Sequence, residues 1–286
     1  MTNQYTHIVL GGGGFTGLVY LGAIRYFQEN NITFSKIIGT SVGAFFGVIL
    51  AFNIPIAEIK SKFHDQFIKR NTLNRFDLSN IFTDLVETKG IDEGINMVDM
   101  IYKYIGDITF GEFKDNLYLS STQVETMNHV YFSAESTPDV RIIDGLRASM
   151  ALPLLIKPIK IGTEHYIDGG ITNEIINIPI PCKKEEVLIM YIAEDHNYTL
   201  ETTNTNMLYF LNILIKSYMK KKVYVDFIKS IFPNVIHYNK VIIPFFPFEY
   251  SDDDLSIYVI LDPIKIEESD QYGYDLTLLH ILNQSI

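Results

Sequence analysis

Apolar residues fall along the chain either in short unbroken runs or in stripes at helical spacing, and the order of the two predicts the fold class. Thr6-His7-Ile8-Val9-Leu10 is a short apolar run stopped by four glycines, Gly11 to Gly14, and reads as a buried strand. Leu18, Leu21, Ile24 and Phe27 then recur on one helical face, predicting a helix over 18–30. A second apolar run, Ile37-Ile38, enters Gly39-Thr40-Ser41-Val42-Gly43, and the segment behind it suits a buried helix. Pro55 opens another helix through Ile68, because its fixed φ fits a first turn. Strand, glycine loop, helix, strand, tight turn, helix is a βαβα opening, which predicts a mostly parallel sheet covered by helices.

Further on, 92–104 reads as helical, and Thr109-Phe110-Gly111-Glu112 has capping-box form with little helix behind it. Residues 117–122 and 129–133 predict neighbouring strands joined by a turn. A short helix is expected over 141–150, ended before Pro153, and a hairpin about Gly162 from 155–161 and 164–167. Residues 186–192 are almost continuously apolar, the pattern of a strand buried on both faces. The stripe over 204–219, followed by Lys220-Lys221-Lys222, reads as a core-facing helix with a solvated basic end. Late strands are expected at 241–244 and 257–260, and a closing helix over 272–283. With no repeat or obvious linker, one domain over 1–286 is expected, with its motifs in about 6–181 and its completion in 182–286.

Composition narrows the classes. Hydrophobic content of 47% excludes a disordered chain, and a net charge of −11 argues against nucleic acid as a partner. The single cysteine, Cys182, rules out an intramolecular disulfide framework and a cysteine-rich zinc site, and fits a reducing compartment. The first residues lack the basic and apolar regions of a secretory leader. The longest apolar stretch, 44–54, is interrupted by Gly47 and Asn53 and is too short to cross a bilayer. A soluble cytoplasmic protein is expected, with at most transient contact with a membrane surface.

Gly39-Thr40-Ser41-Val42-Gly43 is the sequence form of a nucleophile elbow, a tight strand-to-helix turn that lifts a serine above the sheet edge. Acyl transfer by a serine also needs a base and donors for an oxyanion. Backbone N–H groups of Gly12, Gly13 and Gly14 are candidates for the donors, since a neighbouring parallel strand would bring that loop beside the elbow. Seven histidines are present, and none of the late ones, His196, His237 or His280, follows a strand as an ordinary triad base would. His165-Tyr166-Ile167-Asp168-Gly169-Gly170 instead sets a carboxylate at a strand end before two glycines, with His165 on the opposite face by strand alternation. Gly12, Gly14 and Gly17 also satisfy Gly-x-Gly-x-x-Gly, but the second strand ends without the acid that a dinucleotide ribose requires.

Taken together, Gly11 to Gly17, Tyr20-Leu21-Gly22-Ala23-Ile24, the Ser41 elbow, Arg147-Ala148-Ser149-Met150-Ala151-Leu152-Pro153 and Asp168-Gly169-Gly170 resemble the patatin-like phospholipases. The resemblance implies a three-layer α/β/α fold with a mostly parallel central sheet. It implies a Ser–Asp dyad without histidine: Ser41 as nucleophile, Asp168 as base, Gly12, Gly13 and Gly14 as oxyanion hole, and Gly17, Gly39, Gly43, Gly169 and Gly170 as motif support. It implies a phospholipid or other acyl-ester substrate, with no cofactor and no metal in the chemistry. Ser149 is expected as a packing or pocket residue near the site. Many members carry Arg or Lys where this chain has Thr16, which bears on phospholipid preference and rate but leaves the backbone donors in place. The expected activity is that of a phospholipase A or lysophospholipase-like hydrolase. The alternatives are a nonspecific carboxylesterase and a catalytically weak lipid-binding or regulatory protein of the same fold.

Overall fold

The first apolar run forms β1 (His7–Leu10), all four residues of it buried, and the second forms β2 (Lys36–Thr40) alongside it in parallel. The computed structural model describes residues 5–68, 76–77, 90–92, 95–113, 116–172, 183–192, 228–238, 249–251, 256–258 and 262–283. Six further strands complete the main sheet: β3 (Asn116–Gln123), β4 (Asn128–Phe132), β5 (Ile159–Ile161), β6 (Glu164–Asp168), β7 (Val187–Ile192) and β8 (Val235–Tyr238). Their order is β8-β7-β1-β2-β3-β6-β5, with β4 also paired to β3. Pairings from β8 to β3 are parallel, and those of β4, β5 and β6 are antiparallel.

Alternation along the inner strands divides the core in two. Ile8, Leu10, Ile37, Leu188 and Met190 face one apolar cluster, while Val9, Ile38, Val187, Ile189 and Tyr191 face the other, beside Ile228 and Phe232. The first cluster is covered by α1 (Tyr20–Glu29), α2 (Val42–Ala51), α3 (Ile56–Ile68), α4 (Ile95–Ile105), α5 (Ile142–Ser149) and α6 (Pro263–Asn283). Helix α2 is apolar on every side, and Phe45 and Phe46 are fully buried within it, so the element behind the elbow is held from all directions. Truncating either ring would cost about 3–5 kcal/mol.

Helices α1 and α6 cross with their backbones in contact. A Cβ on Gly22 would overlap the Asp270 carbonyl oxygen, and one on Gly273 the Val19 carbonyl oxygen. Beside the crossing, Asp270 is buried between Lys60, at 2.5 Å, and Arg25, at 3.1 Å. The Arg25 guanidinium also lies over the Tyr274 ring. Gly22→Ala is therefore expected to lower stability by about 3 kcal/mol, read as a reduced denaturant midpoint. An unchanged midpoint would mean that the crossing is looser than described.

Several elements differ from the sequence pattern. The helix expected from Asp92 begins at Ile95, because Asp92 closes a short strand, Gly90–Asp92, that pairs in parallel with Leu154–Ile156. The apolar run over 155–161 is thus two strands, split at Lys157-Pro158, where proline supplies no N–H to a ladder. Only its second part forms the hairpin with β6. The closing helix starts at Pro263, nine residues before its expected start at Tyr272 but at a residue suited to a first turn. β8 was not foreseen, since its four residues carry His237 in mid-run. The expected helix over 204–219, the strand over 241–244 and Cys182 lie outside the described residues; of 257–260, Ser256–Tyr258 is a strand in a small separate sheet with Glu249–Ser251 and Phe76–Asp77. Among the described residues no helix is long and apolar enough to cross a membrane.

Candidate active site

The chain turns from β2 into α2 at Ser41, whose φ of 56° and ψ of −125° lie outside the regions open to L-residues. Such a backbone costs about 1–3 kcal/mol and persists only where its surroundings impose it. Here they do. Gly43 packs directly on the Leu10 and Gly11 carbonyls, and Gly39 on the backbone of Ala44, so strand end and helix start meet with no side chain between them. The Ser41 N–H donates to the Ser149 hydroxyl oxygen at 3.0 Å. Ser41 remains 8% exposed at the mouth of the turn.

Strand register brings Asp168 to this point. β2 and β6 occupy the same edge of β3, because β4 holds the opposite edge against both. They arrive from opposite directions: Thr40 lies across from Ser120, and Asp168 across from Ser121. The two strands therefore end head to head, one β3 residue apart, and the residues at their tips are Ser41 and Asp168. Three buried hydroxyls of β3 hold the junction. Ser120 donates to the Thr40 hydroxyl at 2.6 Å, Ser121 to the Ile167 carbonyl at 2.7 Å, and Thr122 to the Asp168 carbonyl at 3.1 Å. Gly169 packs against Ser120, where a Cβ would overlap its hydroxyl. The end of α5 and the residues after it grip both halves, since Ser149 accepts from Ser41 and the Ala151 carbonyl accepts from the Asp168 N–H at 2.9 Å.

The Asp168 side chain is fully buried. One oxygen, Oδ1, accepts the Gly170 N–H at 2.7 Å, while Oδ2 has no hydrogen-bond partner. Burial pushes its pKa up to about 6, against the opposing pull of the Ser41 hydroxyl and the Gly170 N–H. The Ser41 hydroxyl is thus close enough to the carboxylate to favour its charged form.

The glycine loop leaves β1 anchored to β7. Gly11 N–H donates to the Met190 carbonyl at 2.9 Å, and the Tyr20 hydroxyl shares its one proton between the carbonyls of Gly11 and Met190, each at 3.0 Å. Burial raises the Tyr20 pKa and keeps that donor protonated. Gly12 rests on Ser41, since a Cβ there would be 3.3 Å from the serine Cβ. At Gly13, φ is 173° and ψ is 6°. With both peptides planar and trans, these angles turn the N–H bonds of Gly13 and Gly14 to the same side of the chain. Gly14 follows at φ 55°, Thr16 donates its hydroxyl to the Gly13 carbonyl at 2.6 Å, and Gly17 abuts Val42 of α2.

Ser120, Ser121 and Thr122 are not marked as site residues by the sequence pattern, and Tyr20 and Ala151 are marked only as parts of the family-like motifs. The available signal was Ser120-Ser121-Thr122, three hydroxyls in a strand otherwise apolar at its start. Ser149, expected as a packing or pocket residue near the site, lies there with a specific partner in the elbow. Ser149→Ala leaves the buried Ser41 N–H without an acceptor and is expected to cost about 1–3 kcal/mol, measured by denaturant unfolding; no loss would show that the contact is dispensable. His165 is exposed on Glu125 at 2.7 Å, and His129 reaches the Thr172 hydroxyl at 3.1 Å. Neither touches the Ser41–Asp168 pair. No group of side chains among the described residues is arranged to hold a metal ion. A cleft of about 360 Å³ beside Arg25, Lys60 and Asp270 includes none of the Ser41 or Asp168 surroundings, and its charges are already paired with one another.

A mixed, mostly parallel sheet carrying a serine elbow and a glycine loop at the ends of its parallel strands defines an α/β/α protein of the patatin type. A family model described as patatin-like phospholipase matches residues 8–180, more than half of the chain, and the protein belongs to that family. An uncharacterised protein of Acanthamoeba polyphaga mimivirus is 29% identical over 187 residues, covering 62% of this chain and 61% of its own. A probable lipid hydrolase of Invertebrate iridescent virus 6 is 27% identical over 190 residues, covering 62% of both chains. A lysophospholipase of Aspergillus niger is 28% identical over 163 residues, which is 57% of this chain and 10% of the fungal one. The match thus spans about three-fifths of the viral relatives and a tenth of the fungal enzyme. The crystal structure of VipD from Legionella pneumophila shares the fold, with a TM-score of 0.55 at 18% identity over 98% of this chain and 67% of that one.

Proposed function

We propose that the protein hydrolyses carboxylic esters of lipids, as a phospholipase A or lysophospholipase-like enzyme, with Ser41 as nucleophile and Asp168 as base. The observation that carries this reading is the head-to-head end of β2 and β6, which sets a strained serine beside a buried carboxylate with a free oxygen. Membership of the patatin-like phospholipase family, and relatives described as lipid hydrolase and lysophospholipase, support a lipid ester as substrate.

In this mechanism Asp168 Oδ2 takes the Ser41 proton as Oγ forms a bond to the ester carbonyl carbon. A pKa of about 6 makes Asp168 a better base than an ordinary aspartate while leaving it ionised at neutral pH. The carbonyl oxygen, now carrying the charge, faces the Gly13 and Gly14 N–H groups, with the N-terminus of α2 adding its favourable dipole. Collapse expels the alcohol, which takes the proton back from Asp168, and leaves an acyl group on Ser41. Asp168 then deprotonates a water that attacks the acyl carbon, and the serine is regenerated with release of the fatty acid.

Reaction with a fluorophosphonate, followed by intact mass, tests the nucleophile, and turnover of micellar phospholipid against a soluble short-chain ester tests the substrate class. One adduct on the wild type and preference for the micellar lipid are expected. A folded protein that forms no adduct would overturn the hydrolase reading; equal turnover of the soluble ester would leave an esterase without lipid preference.

A further inference from the structure

Two N–H groups turned to the same side of the chain at Gly13 are not an arrangement a loop adopts unaided. N–H dipoles held this close on one side of the chain repel each other, and rotation of the Gly13–Gly14 peptide would relieve them. That rotation would turn the Gly14 N–H away and swing the Gly13 carbonyl, an acceptor, toward the point that must receive negative charge. One side chain opposes it. In a trans peptide the carbonyl and the N–H point in opposite directions, so a donor on the Gly13 carbonyl fixes the Gly14 N–H on the other side. Thr16 Oγ1 is that donor, at 2.6 Å. Its own position is set by the 3-10 turn Gly14–Val19, whose Gly17 packs on Val42 directly behind Ser41.

Resting on the proposed ester hydrolysis, we infer that Thr16 is a positioning residue that locks the Gly13–Gly14 peptide in its donor-forward orientation. The hydroxyl thereby sets transition-state stabilisation without touching the substrate. A basic residue at this position would place a charge near the loop; here a short hydroxyl reaches back to the backbone instead. The role predicts an effect on kcat, because the oxyanion forms only as the carbonyl is attacked, with little effect on KM.

The test compares Thr16→Val, which keeps the shape and removes the hydroxyl, with Thr16→Ser, which keeps the hydroxyl, and with Thr16→Ala as a second deletion. Ester turnover by Thr16→Val is expected to fall about 100-fold in kcat with KM within about 3-fold, and Thr16→Ser is expected to recover most of it. Glycine-selective ¹⁵N labelling gives a readout independent of turnover: two glycine cross-peaks, those of Gly13 and Gly14, are expected to shift in Thr16→Val and Thr16→Ala and to stay in place in Thr16→Ser. Unmoved glycine peaks in both deletions would overturn the inference whatever the activity, as would Thr16→Val with wild-type kcat or Thr16→Ser as impaired as Thr16→Val. No fluorophosphonate adduct on the wild type, with the glycine shifts still seen in Thr16→Val and Thr16→Ala, would overturn the hydrolase reading while upholding the lock.

Discussion

Ser41→Ala is expected to form no fluorophosphonate adduct and to lower ester turnover by at least about 10⁴-fold. The backbone donors and the binding surface remain, so substrate affinity should change little. The same position carries a second, opposite expectation. At φ 56° and ψ −125° a Cβ is strained, whereas glycine is not. Ser41→Gly should therefore be more stable than Ser41→Ala by about 1 kcal/mol, even though glycine gains more freedom on unfolding. Paired denaturation curves decide the matter. Alanine proving the more stable would mean that the turn is relaxed, and the elbow would lose its role in holding the nucleophile.

Asp168→Asn is the second large effect. On the proposed mechanism, loss of the base should reduce turnover by about 10³–10⁴-fold, with no recovery at higher pH, whereas the wild type should gain activity as pH rises through about 6. Asparagine keeps an acceptor for the Gly170 N–H, so the fold is retained. Stability should rise. The folded pKa of about 6 lies above the ordinary 3.8, so the folded state binds more protons and wild-type stability falls as pH rises from about 4 to 6. Above pH 6 the loss is complete, on the order of 2–3 kcal/mol. The variant has no such loss, and its advantage should be present at pH 7 and shrink toward pH 4. An advantage that does not vary with pH would show that Asp168 is not held ionised against its surroundings.

How much of this was legible in sequence depended on the range of the interaction. The βαβα opening, the elbow and the strand over 186–192 are fixed by neighbouring residues, glycine steric limits and apolar runs, and all appear where expected. The Ser41, Asp168 and Gly12 to Gly14 motifs were likewise visible as residue types. Their meeting was not derivable from any one of them, because it depends on the pairing of Thr40 with Ser120 and of Asp168 with Ser121, strands far apart in the chain. Thr16 was legible only as a departure from a basic pattern; its contact with Gly13 needs the turn in three dimensions. The 155–161 run misled because apolarity continues across Pro158 while the hydrogen-bond ladder does not.

The crossing of α1 and α6 has a consequence for synthesis. Asp270 meets Arg25 across 245 residues, so α1 emerges from the ribosome long before the helix that packs on its Gly22 face. Until then the strand, loop and helix that carry Gly12 to Gly14 lack one of their walls, and Leu21 and Val19 have no partner from α6. A nascent chain stopped near residue 180, though it holds every residue that the family model matches, is expected to remain chaperone-bound and without esterase activity.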